Sequence, residues 1–109
     1  THSKESDMGL DINILSVPRA VTTKPADAYV GSRYDKKPRW KQVAYARSDW
    51  NLHDIFCVLY DKRGGTKEDF NNTTVRLYKR DLRLFDASIS APILEHMKKG
   101  RVVYAESSF

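Results

Sequence analysis

The apolar residues of this chain come in short runs, and most of those runs repeat at every second position. Leu10, Ile12 and Ile14 alternate with Asp11 and Asn13, the period of a half-buried strand. That strand runs to about Val17 and ends at Pro18, because proline has no N–H to give to a ladder. Trp40–Ala46 alternates less regularly, with Val43 and Tyr45 on one side, and also predicts a strand. Thr73–Tyr78 places Val75 and Leu77 opposite Arg76 and Tyr78. Ile55-Phe56-Cys57-Val58-Leu59-Tyr60 is the most apolar stretch. Its length, polar borders and β-branched and aromatic content predict a central strand. Arg101–Ala105 predicts a short final strand.

One helix stands out against this pattern, over about residues 90–99. Ser90 can cap it, Pro92 suits its first turn and Gly100 can close it. Ile93, Leu94 and Met97 form its apolar stripe, and Lys98 and Lys99 complement the dipole in its last turn. Residues 79–87 stay ambiguous: Leu82 and Leu84 fit a strand, while Leu82, Phe85 and Ile89 fit a helix. Asp61–Thr66, with Gly64 and Gly65, predicts a hairpin or bulged turn. Residues 1–8 are polar and without periodicity, which predicts a flexible lead-in. Residues 19–39 are a long connection, with room for a short strand at 28–30.

The expectation is therefore one α+β domain over residues 9–109: a small antiparallel sheet or barrel with one C-terminal helix. An OB-like barrel, an SH3-like barrel and a curved sheet on a single helix all satisfy this order. With 109 residues, 40% hydrophobic and 30% charged, the chain is long enough to bury a core and too short for a separate cofactor domain. No run approaches the ~18 apolar residues of a membrane span.

Charge is the feature that points to function. The net charge is +5. Arg33, Lys36, Lys37, Arg39, Lys41 and Arg47 face a single acid, Asp35, and are interleaved with Tyr34, Trp40 and Tyr45. A second basic stretch contains Lys62, Arg63, Lys67, Arg76, Lys79, Arg80 and Arg83 against Glu68, Asp69 and Asp81. Lysine and arginine gain affinity for a polyanion by releasing its counterions, and a free aromatic ring stacks on an unpaired base. The expected function is non-catalytic binding of RNA or single-stranded DNA. The expected contacts are Arg33, Tyr34, Lys36, Lys37, Arg39, Trp40, Lys41, Arg47, Lys62, Arg63 and Arg76. Solvated charge and core aromatics are the competing reading of the same residues. The Lys79–Arg83 segment reads more naturally as a charged edge.

The alternative function is a protein-interaction module, an adaptor or oligomerisation domain, anchored by Trp40 and Trp50. A matrix-like domain on an anionic membrane surface ranks last, because no basic amphipathic helix is evident. No cofactor or metal is expected, since His2, His53, His96 and Cys57 have no zinc spacing. His53 and Cys57 would meet at i, i+4 only on a helix. On the expected strand they stand ~13 Å apart, which excludes a cysteine–histidine pair. With no partner for a disulfide, Cys57 points to a reducing, intracellular compartment, cytoplasmic or nuclear. Overlapping Asn-X-Thr triplets occur at Asn71 and Asn72, a pattern common by chance.

Overall fold

The computed structural model describes residues 9–20, 40–66 and 68–109. Four strands form one antiparallel sheet: β1 (Asp11–Val17), β2 (Lys41–Arg47), β3 (Thr73–Leu77) and β4 (Val102–Ser108). Their spatial order is β2-β1-β4-β3. β1 and β4 are therefore central, β2 and β3 are the two edges, and the sheet is open rather than closed into a barrel. A bulge between Ile14 and Leu15 shifts the β1–β2 register. Two α-helices, α1 (Trp50–Lys62) and α2 (Ala87–Lys98), and a 3-10 helix (Lys79–Leu84) complete the described chain. The α+β class read from the sequence is correct. None of the described helices is long and apolar enough to cross a membrane.

The expected central strand at 55–60 is instead the middle of α1. Over a longer window the reason is plain: Leu52, Phe56, Leu59 and Tyr60 recur at i, i+4, i+7 and i+8, and all four are buried. That stripe faces one side of a helix. Asp49 supplies the N-cap, its carboxylate accepting the Leu52 N–H at 3.0 Å. The expected hairpin turn at 61–66 is consequently the exit from this helix. Gly64 takes φ +79°, and Gly65 packs so closely on Tyr60 that a Cβ would lie 2.3 Å from its ring. Tyr60 is 3% exposed and has little room to retreat. Gly65→Ala is expected to cost about 1–3 kcal/mol by overpacking. Gly64→Ala meets no atom and costs about 1 kcal/mol through its backbone angle alone. Urea unfolding of the two variants checks that order.

α2 begins three residues earlier than predicted, with Asp86 at its N-cap position in place of Ser90, and Pro92 lies inside it. Gly100 follows in the left-handed region, as expected. The ambiguous segment at 79–87 supplies the 3-10 helix and the entry to α2.

Strand alternation sorts the sheet residues onto two faces. Ile12, Ile14, Val75, Leu77, Val103 and Ala105 form the main core with Leu52, Phe56, Leu59 and Tyr60 of α1 and Ile93 of α2. Leu15, Val17 and Tyr104 form a second cluster on the opposite face, joined by Trp40 and Val102. Two polar ties bind helices to the inner face. His53 on α1 meets Ser107 Oγ at 2.9 Å. His96 on α2 meets Ser16 Oγ at 2.7 Å. Arg101 Nε donates to the same Ser16 oxygen, so the serine hydroxyl is free to donate to His96 Nδ1. Burial, and then the charges of Arg101, Lys99 and Lys41, lower the His96 pKa and keep that nitrogen an acceptor.

Candidate nucleic-acid interface

β3 delivers Arg76 and Tyr78 to one edge of the sheet, where the chain turns into the 3-10 helix. There the guanidinium groups of Arg63, Arg76 and Arg80 stand 5.0, 4.9 and 5.0 Å from the centroid of the single Tyr78 ring. A cation within about 6 Å of a ring centroid is attracted by the ring quadrupole, which offsets part of the repulsion among the arginines. One carboxylate, Asp81, enters this group. It is 4% exposed and bonded to Arg63 Nη2 at 2.6 and 2.8 Å. Asp81 also accepts the Tyr78 backbone N–H at 2.7 Å. Arg63 in turn donates to the Arg76 carbonyl at 2.7 Å, which occupies a backbone acceptor of the edge strand and blunts it against strand addition.

Among the described residues this carboxylate is paired with Arg63. Lys62, Lys79, Arg80 and Arg83 are exposed, and among the described residues none of them forms a salt bridge. The result is a band of positive charge along the β3 edge, with planar guanidinium groups held in place by one ring.

The predicted contact residues are distributed as follows. Arg33, Tyr34, Lys36, Lys37 and Arg39 lie outside the described residues. Lys41 and Arg47 are exposed at the two ends of β2, on the edge opposite β3. Three inter-strand spacings, ~14 Å, separate those edges. Arg63 and Arg76 belong to the β3 edge, and Lys62 is exposed at the end of α1, next to Arg63 in sequence. Arg63 is largely buried, with its side chain 9% exposed. Trp40 is half-buried against Leu15, Val17 and Tyr104, and its indole N–H is buried without a partner, so its ring is packed rather than offered to a base. The described parts of the two basic stretches are therefore not brought together on one edge. Tyr78, Lys79, Arg80 and Arg83 complete the β3-edge group and were not among the predicted contacts. Their signal was the alternation of Arg76, Tyr78 and Arg80 around Lys79.

A second constellation became visible only with α1 in place. His53 and Cys57 lie one turn apart, with Sγ 3.3 Å from Nε2, which corrects the expectation that they are too distant to meet. Burial, followed by the charges of Asp54, Asp69 and Asp61, pushes the Cys57 thiol up to about 11. A thiol held protonated donates to Nε2 and leaves Nδ1–H to donate to Ser107 Oγ. The chain of bonds orients the sulfur but does not activate it, because the reactive species is the thiolate. Among the described residues no three histidine, cysteine or carboxylate side chains converge to hold a metal ion.

No protein-family model, no curated protein and no solved structure matches this chain.

Proposed function

We propose that this protein binds RNA or single-stranded DNA, without catalysis, through the β3 edge and the following 3-10 helix. The observation that carries the reading is the stacking of Arg63, Arg76 and Arg80 around Tyr78, beside exposed Lys62, Lys79 and Arg83. Exposed lysines and arginines exchange condensed counterions for phosphates. Guanidinium planes also accept unstacked bases, the geometry that single strands and loops present. Arg76 and Arg80 are the planar contacts, and Lys62, Lys79 and Arg83 are phosphate contacts. Lys41 and Arg47, on the opposite edge, contribute only to the long-range positive potential that attracts a polyanion. A reducing compartment, cytoplasmic or nuclear, suits both such a ligand and the free thiol of Cys57.

The protein-interaction alternative has less support. Its intended anchors, Trp40 and Trp50, are both half-buried, and Trp50 packs edge-on against His53 and Phe109.

Fluorescence anisotropy with a labelled single-stranded oligonucleotide tests the proposal. The triple variant Lys79→Glu/Arg80→Glu/Arg83→Glu should bind at least roughly tenfold more weakly at low salt. These side chains are exposed, and loss of the Arg80–Tyr78 contact should cost only about 1 kcal/mol, so the variant should remain folded. Equal affinity of wild type and variant, or no wild-type binding at low salt, overturns the assignment.

A further inference from the structure

A pocket of about 130 Å³ opens between α1, the connection to β3 and Phe109, lined by His53, Cys57, Tyr60, Asp61, Glu68, Asp69, Phe70 and Phe109. Its floor is aromatic. Tyr60 and Phe70 have ring centroids 5.3 Å apart, and His53 lies 6.0 Å from Phe70 and 5.2 Å from Phe109. Its rim is acidic: Asp61, Glu68 and Asp69 are exposed, and among the described residues none of them forms a salt bridge. Phe109 is fixed at the mouth, its N–H donating to Asn71 Oδ1 at 3.0 Å.

The negative potential of the rim reaches inside. Cys57 lines the pocket, and its thiol is raised first by burial and then by the charges of Asp54, Asp69 and Asp61. Burial disfavours a charge of either sign, and only the contribution of the three carboxylates favours a cation. In a chain of net charge +5, such a pocket is the local exception.

The composition of the lining selects among cations. A metal ion requires several donors converging on one point, and the described residues offer no such set. The exposed ring of Phe109 beside a carboxylate rim suits an alkylammonium group, whose carbons lie on that ring while its charge meets the acids. We propose that this pocket binds a small organic ammonium, as carried by a lysine side chain or a polyamine. This reading is independent of the β3 edge and does not depend on nucleic-acid binding.

Amide NMR titration of the intact protein tests it, with Nα-acetyl-lysine amide and spermidine as probes. The control is the same lysine amide acetylated at Nε, which has the shape without the charge. The cationic probes should shift the amides of Asp61 and Glu68–Phe70, and the control should not. Glu68→Gln/Asp69→Asn, both at exposed positions, should weaken binding at least about fivefold at low salt with no change in melting temperature. A stronger response to the lysine amide assigns the pocket to a peptide side chain, and a stronger response to spermidine assigns it to a polyamine. Absence of shifts with both cations, equal binding of the neutral control, undiminished binding by the double variant, or displacement of both amines by calcium or zinc at lower concentration refutes the proposal.

Discussion

Asp81→Ala should destabilise the protein by about 3–5 kcal/mol, although the residue removed belongs to a basic, outwardly polar-looking stretch of sequence. Asp81 is 4% exposed and, among the described residues, is the only carboxylate bonded to Arg63. Truncating it leaves a guanidinium uncompensated in a largely buried position, which is the costly way to break an ion pair. It also deprives the Tyr78 N–H of the acceptor it uses at 2.7 Å. Against a total stability of about 5–15 kcal/mol for a domain, the loss should lower the melting temperature by on the order of 10 °C or more. Removing both partners is a different experiment. Arg63→Met/Asp81→Leu leaves no unpaired charge and should recover most of the loss. Chemical denaturation of wild type, single and double variants closes the cycle. A loss below about 1 kcal/mol for Asp81→Ala would show that water screens the pair as it does a surface salt bridge.

Glu106→Gln should act in the opposite direction, and only above acidic pH. Glu106 sits on β4 opposite Asn13 of β1 and Thr74 of β3, and it is 7% exposed. The Thr74 hydroxyl beside it is buried without a partner, so the surroundings do little to solvate a charge. Burial raises the Glu106 carboxyl from 4.5 to about 7. Below the unfolded value both states hold the proton, and the residue has no linkage effect. Between 4.5 and about 7 the folded chain retains a proton that the unfolded chain releases, so stability falls as pH rises through that window. Above it the penalty is constant, on the order of 2–3 kcal/mol. Glutamine keeps the shape without the ionisation. The variant should therefore match wild type near pH 4 and exceed it by about that amount near pH 8. Urea unfolding across the range measures it, and parallel pH profiles would show that Glu106 is solvated in the folded protein.

The sheet was legible because strand residues on a half-buried surface alternate. Ile12 and Ile14 against Asp11 and Asn13, and Val75 and Leu77 against Arg76 and Tyr78, carry their period within a few residues. α1 was not legible on that scale. Within Ile55–Tyr60 every residue is apolar or nearly so, and a short apolar run satisfies both periods. The deciding residues lay outside the run: Leu52 one turn before Phe56, Asp49 as the cap and Gly64 beyond the end. The same error hid the His53–Cys57 contact, since a helix brings i and i+4 together and a strand separates them. At the candidate interface, the abundance of Lys and Arg was visible but their division of labour was not. Arg63 spends its charge on Asp81 and on the Arg76 carbonyl, a long-range pairing that spacing does not encode. Trp40 reads as a base platform in a basic stretch, yet its ring lies against Tyr104 and Leu15, residues brought beside it only by the sheet.

The dependence of oligonucleotide affinity on salt tests the central claim most directly. Binding of a single strand through the phosphate contacts of Lys62, Lys79 and Arg83 predicts that the logarithm of the association constant falls with the logarithm of salt at a slope of roughly −2. In Lys79→Glu/Arg80→Glu/Arg83→Glu the slope should become shallower by at least about 1, as the phosphate contacts of Lys79 and Arg83 are lost. A slope near zero for the wild type, or an unchanged slope in the variant, would contradict the assignment of this edge to a nucleic acid.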